Sequence, residues 1–174
     1  MKRNANAGFS LIEMLIVVAI AMTLAAIAVP QFLNAMNTYR LSAAVSATTG
    51  AIQSTRFQAI MHGCQYQLVI TSASLTYQVY SETPPAGTTG CLGSVSAVGS
   101  AYPISPGYVT ISGTSFTYTF YPNGTVTATS SPANTTLEIS NKSIQNYIYV
   151  SGVGNVTTCQ PTSTCTCSAT NLCQ

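Results

Sequence analysis

Residues 8–30 read GFSLIEMLIVVAIAMTLAAIAVP, and from Phe9 to Val29 only Ser10, Glu13 and Thr23 interrupt an apolar run. At about 1.5 Å of rise per residue this run makes about 30 Å of helix, enough to cross the hydrocarbon of a bilayer. Lys2 and Arg3 stand ahead of it. Basic flanks stay on the cytoplasmic side, so the N-terminus is predicted inside and everything beyond the span exported. Glu13 is the anomaly, because a carboxylate in an apolar helix costs about 2.5–3.5 kcal/mol at mid-bilayer and less near the edge. A plain membrane anchor explains the length of the run and not this residue. A secretory signal peptide is the rival reading, since Ala26-Ile27-Ala28 offers an A-x-A cleavage site, but its apolar core would be long and would carry the carboxylate.

Beyond Pro30 the helical pattern continues in a more polar form. Leu41, Ala44, Val45, Thr48, Ile52, Thr55 and Ala59 recur at three- and four-residue steps, one semi-apolar stripe on a helix that stops near His62-Gly63. Pro30 lacks a backbone donor and is expected to kink or loosen the helix there. From residue 65 the period changes to two. Strands are predicted at 65–70 and 75–80 around a turn at Ser72-Ala73-Ser74, then at 108–111, 115–121, 125–129, 136–139 and 144–150. Residues 83–99, rich in Pro, Gly and Ser, are expected to form a long loop. Pro122-Asn123-Gly124 is a tight turn, Asn-Gly being the strongest short hairpin signal. The fold class is therefore α+β, a long N-terminal helix carrying an antiparallel β-sheet body.

Only five Lys or Arg and three Glu are present, with no Asp, in 174 residues. Cytosolic proteins carry about a quarter charged residues, so a surface wetted by hydroxyls and amides suits export. One His and no Asp exclude a Ser-His-Asp triad, and no Gly-rich phosphate loop or His pair for a metal is present. No catalytic residue, cofactor or metal is assigned. Cys64 near His62 is a conceivable nucleophile, although cysteines in an oxidising compartment are more often bridged. Cys64, Cys91, Cys159, Cys165, Cys167 and Cys173 make an even set with about 15 possible pairings. The last four lack the C-x2-C spacing of zinc knuckles, which favours disulfides over a four-thiolate site. Cys64 is expected to pair with Cys91, and Cys165 and Cys167 to reach Cys159 or Cys173.

Gly8-Phe9-Ser10-Leu11-Ile12-Glu13 resembles the type IV prepilin signal. The resemblance implies that a prepilin peptidase/methyltransferase cuts between Gly8 and Phe9, methylates the new amine of Phe9 and leaves the apolar helix attached. It also implies that Glu13 pairs with the terminal amine of a neighbouring subunit during assembly; an opposite charge nearby restores much of the burial cost and sets the register. Arg40-Leu41-Ser42-Ala43-Ala44, Arg56 with Ala59-Ile60 and Gly63, Phe120-Tyr121-Pro122-Asn123-Gly124, and the run from Ile148 through Gly152-Val153-Gly154-Asn155 to Val156 extend the likeness to the general secretion pathway protein H and FimT family of minor pseudopilins and pilins.

The implied organisation is a leader at 1–8, a transmembrane and filament-core helix at 9–29, an amphipathic helix at 30–62, a periplasmic β body at 63–158 and a Cys-rich tail at 159–174. The implied function is that of a structural subunit of a pilus-like filament, foremost a minor pseudopilin of a type II secretion system, with a minor or major pilin as the alternative. Its partners would be other pilins or pseudopilins and an inner-membrane assembly platform; its location would be the bacterial inner membrane, single-pass, and then the filament. Some FimT-type members take part in DNA uptake, with basic residues after the last Gly. Here Asn155 stands at that place, and Lys142 is the only strong base after His62. Binding by phosphate neutralisation needs several such charges, so DNA is not expected as a partner.

Overall fold

In the computed structural model, residues 10–82, 90, 91, 93–104, 109–131, 136–141 and 144–161 are described. The chain separates into two units, Met1–Asn37 and Thr38–Gln174. Its elements are α1 (Leu11–His62), β1 (Tyr66–Thr71), β2 (Thr76–Ser81), β3 (Ser96–Pro103), β4 (Thr110–Ile111), β5 (Ser115–Phe120), β6 (Val126–Ser131), β7 (Thr136–Asn141), β8 (Ile144–Val150) and β9 (Val156–Cys159).

The first unit holds the apolar part of α1, where every residue from 11 to 35 is exposed. By length and composition this helix can cross a membrane. Thr23 is accommodated because its hydroxyl donates to the Ile20 carbonyl at 2.8 Å, which leaves no polar group unsatisfied in an apolar setting. The helix continues through Pro30.

In the second unit, α1 buries Leu41, Ala44, Thr48, Ala51, Ile52, Thr55 and Ala59. This is the expected stripe with Ala51 added and Val45 only partly covered. Two buried threonines cost little, since their hydroxyls donate to the Ala44 and Ala51 carbonyls at 2.8 and 2.7 Å and turn their methyls outward to the packing. Gly63, with φ of 63°, stops the helix in the left-handed region that glycine enters without a Cβ clash.

Two antiparallel sheets complete the body, in the orders β3-β2-β1-β5-β6 and β4-β7-β8-β9. Alternation sends Tyr66, Leu68 and Ile70 of β1 inward, directly opposite Phe120, Tyr118 and Phe116 of β5. In the second sheet Leu137 faces Ile148, and Ile139 and Val150 are buried beside them. These side chains and the α1 stripe form one core cluster. Full burial of each Leu, Ile or Phe contributes about 1.5–3 kcal/mol.

Two local expectations need correction. β3 begins at Ser96, inside the stretch read as loop, and every one of its residues is exposed. It is an edge strand held by pairing to β2, so no buried face imprints a period on its side chains. β9 was not anticipated either; its four residues pair with the end of β8. The tight turn expected at Pro122-Asn123-Gly124 is present and joins β5 to β6. Gly124 N–H donates to the Tyr121 carbonyl at 2.9 Å, Tyr121 N–H to the Thr125 carbonyl at 3.0 Å, and Gly124 alone takes positive φ, at 82°. That is a β-turn followed by a left-handed residue, the usual three-residue hairpin loop.

Candidate functional site

The N-terminal feature is built by the first turn of α1. Ser10 precedes the helix, and its carbonyl accepts the Glu13 and Met14 N–H groups at 3.0 and 3.2 Å. Ser10 and Glu13 thus stand at the Ncap and N3 places of a capping box, a spacing that also suits a carboxylate to the positive end of the helix dipole. Around and beyond Glu13 the helix exposes Leu11, Ile12, Met14, Leu15, Ile16, Val17 and Val18. Glu13 is the one charged side chain in residues 10–35, and burying this surface would leave its carboxylate in need of a cationic partner. Gly8 and Phe9 lie outside the described residues.

A second feature centres on Arg56. Its Nε donates to the Gly124 carbonyl at 3.2 Å and its terminal nitrogen to the Val153 carbonyl at 2.9 Å. Both acceptors belong to hairpin turns of the same design. In the β8–β9 turn, Gly154 N–H donates to the Ser151 carbonyl at 2.7 Å, Ser151 N–H to the Asn155 carbonyl at 2.9 Å, and Gly154 has φ of 82°. A Cβ on Gly154 would overlap Arg56 Nε and lie 2.8 Å from its Cδ and Cζ, so the glycine is required by both conformation and space. Asn123 rigidifies the other turn by accepting from the Thr125 N–H at 3.1 Å and hydroxyl at 2.7 Å. One guanidinium therefore ties the helix to a turn from each sheet. Val126 N–H adds a direct bond between the sheets, to the Gly152 carbonyl at 2.9 Å.

The cysteines and His62 offer no reactive centre among the described residues. Cys64 and Cys91 form a disulfide, with Cα atoms 5.6 Å apart, which removes the thiol that His62 could have activated. His62 stacks on Tyr66 with ring centroids 5.9 Å apart. Cys159 is also disulfide-bonded; Cys165, Cys167 and Cys173 lie outside the described residues. No group of three His, Cys, Asp or Glu placed to hold a metal occurs among the described residues. Burial raises the Tyr118 phenol above its ordinary range, and its hydroxyl has no hydrogen-bond partner. Tyr147 is raised as well, by desolvation and by the Glu138 carboxylate opposite it across β7 and β8.

Residues 3–29 match the model of the prokaryotic N-terminal methylation motif. The N-terminus is that of a type IV prepilin-like protein. No curated protein and no solved structure matches the chain. A prepilin-like motif implies processing by a prepilin peptidase and assembly with other pilins, and the exposed apolar helix is consistent with a membrane-anchored pilin. It indicates a structural subunit, with the motif ending where α1 enters its more polar half. The joining of the body at Arg56 was not foreseen from the sequence, although Arg56, Gly124 and Gly154 each stood in runs singled out there. A buried-side arginine within a stripe of small residues was the available signal; the acceptors, being backbone carbonyls, carry none.

Proposed function

We propose that the chain is a structural subunit of a type IV pilus-like filament, and within that class a minor pseudopilin of a type II secretion system. The carrying observation is the methylation motif at 3–29 laid over the first part of α1, an apolar stretch that is exposed at every residue from 11 to 35 and interrupted by Glu13. Such a surface demands lipid or neighbouring helices, and the carboxylate demands a cation when those helices close around it. Cleavage after Gly8 would provide that cation as the methylated amine of Phe9. Once cut, the subunit would remain single-pass in the inner membrane with its body in the periplasm, and an assembly platform would draw it into the filament.

The pseudopilin assignment is supported by the sequence likeness to the general secretion pathway protein H and FimT family; three of the four runs that carry it, those at Arg56, Gly124 and Val153, are joined by the Arg56 hydrogen bonds. A pilus subunit is the second reading, favoured by a hydroxyl-rich surface of low charge that suits packing into a long fibre. Intact mass and N-terminal sequencing test the common part: the mature chain should begin at methylated Phe9. A chain beginning at Val29 would mean ordinary signal-peptidase export and would remove the filament reading. Loss of secretion, as opposed to loss of surface fibres, on deletion of the chain would then separate pseudopilin from pilin.

A further inference from the structure

All eight residues of β3 are exposed, and it pairs on one side only, with β2 at the end of the first sheet. That pairing is broken in two, because the register slips between Tyr77 and Val79, where Gly99 takes a φ of 72°. Besides the ladder, Tyr102 stacks on Tyr77 with ring centroids 5.5 Å apart, Gln78 Nε2 donates to the Gly99 carbonyl at 3.2 Å, and the Ser96 hydroxyl donates to the Ser81 carbonyl at 3.4 Å. A strand with no buried face gains little from the hydrophobic effect and opens at low cost in free energy.

Both ends of β3 are nonetheless fastened. Ile104, just past its C-terminal end, is buried, and its N–H donates to the Leu75 carbonyl at 2.8 Å. At the other end the fastening is covalent. Cys91 is bridged to Cys64, and Cys64 adjoins Gln65, whose carbonyl accepts the Glu82 N–H at 3.0 Å just past β2. In the sequence 14 residues, 82–95, separate β2 from β3, but only four, 92–95, separate Cys91 from β3. The bridge therefore fixes the chain beside the place where Ser96 meets Ser81. Loop-closure entropy grows as (3/2)RT ln n, so opening the bridge disfavours the β2–β3 pairing about sixfold, the 3/2 power of 14/4.

What β3 covers is the edge of β2. Tyr77 and Val79 of β2 pack against the core and lie opposite Tyr102 and Val98. The whole strand, TYQVYS, is uncharged, rich in β-branched and aromatic side chains and free of Pro and Gly, a composition prone to further strand pairing once its edge is bare. By contrast, β3 ends at Pro103 and carries the irregularity at Gly99, features that blunt an edge.

We propose that the Cys64–Cys91 bridge is a redox latch: closed, it holds β3 as a strap along β2; open, it lets β3 leave and turns β2 into an unguarded edge. Closing the latch takes two electrons and two protons from the Cys64 and Cys91 thiols and passes them to a disulfide-bearing oxidant, which departs as a dithiol; a dithiol reductant reverses the step. Every part of the latch lies in the second unit, so it operates whichever filament the chain enters.

The test is hydrogen exchange read by mass spectrometry on the full mature chain in a nonionic detergent. The parent is compared before and after reduction by dithiothreitol and alkylation, and with a variant carrying Cys64→Ser and Cys91→Ser, which opens this bridge alone. Exchange within 96–103 should accelerate about sixfold in both opened forms, while 66–71 and 115–120 keep the protection of the parent. Lengthening 92–95 by four Gly or Ser residues with the bridge intact should accelerate 96–103 about threefold, the 3/2 power of 8/4. Unchanged exchange in 96–103 once Cys64 and Cys91 are opened would overturn the latch. Equal acceleration in β1 and β5 would also overturn it, since the bridge would then hold the body as a whole. So would a lengthened chain that exchanges like the parent, because the short tether would then not be what holds the strap.

Discussion

Arg56 and Gly154 form the interaction on which the body's two sheets are most sharply testable. Arg56→Ala removes two hydrogen bonds from a charged donor, each worth about 1.5–3 kcal/mol in general, with the bond to Val153 at the low end because it is exposed. The expected loss is about 2–4 kcal/mol. Gly154→Ala forces an L-residue to a φ of 82°, costing about 1–2 kcal/mol, and its Cβ also displaces the guanidinium. Its total should reach about 3–5 kcal/mol. The double variant has no guanidinium to displace, so only the backbone strain is added to the loss of Arg56. The two changes should therefore be less than additive, with a coupling of about 2 kcal/mol. The assay is urea unfolding of the mature chain in a nonionic detergent, followed by near-ultraviolet dichroism of its ten tyrosines, since there is no tryptophan. Additivity within about 0.5 kcal/mol would refute the shared junction, because distant independent sites behave that way.

Glu13→Val should leave membrane insertion intact and abolish filament incorporation; normal incorporation, measured by immunoblot of sheared filaments, would dismiss the pairing of Glu13 with a neighbour's amine. Replacing Cys64 and Cys91 together by Ser opens a loop with a sequence separation of 27 and should cost about 3.5 kcal/mol by the chain-entropy relation, so a urea midpoint within error of the parent would contradict it. Tyr118→Phe should be neutral or stabilising by about 1 kcal/mol, because the hydroxyl it removes is buried without a partner. The folded Tyr118 phenol keeps its proton to higher pH than the unfolded one, so parent stability should fall above about pH 10 by up to about 1.4 kcal/mol per pH unit. The Phe variant should lose that component of the slope, and an unchanged slope would count against it. In gel-shift titrations of the full chain, no micromolar, salt-sensitive binding of duplex DNA is expected, since Arg56 holds two carbonyls and Arg40 is also engaged.

The helix was legible because its signals are local. Its apolar run, the stripe at Leu41, Ala44, Thr48, Ile52, Thr55 and Ala59, and the stop at Gly63 are each written in consecutive or helically spaced side chains. The same holds for β1, β5 and β8, whose buried faces impose alternation. β3 escaped because an exposed edge strand is selected by its hydrogen-bonding neighbour and places almost no constraint on side chains.

By itself, the sequence determined that an apolar helix with one misplaced carboxylate precedes an antiparallel body, because hydrophobic periodicity and chain stops act over a few residues. It also made the Cys64–Cys91 pairing an expectation, which the structure bears out. Only the tertiary structure decided that two sheets exist in place of one, that their hairpin turns share a design, and that Arg56 bonds to both. The physical reason is that sheet partition and this junction are fixed by backbone N–H and carbonyl groups. Every residue but proline carries both alike, so what selects among them is their position in space.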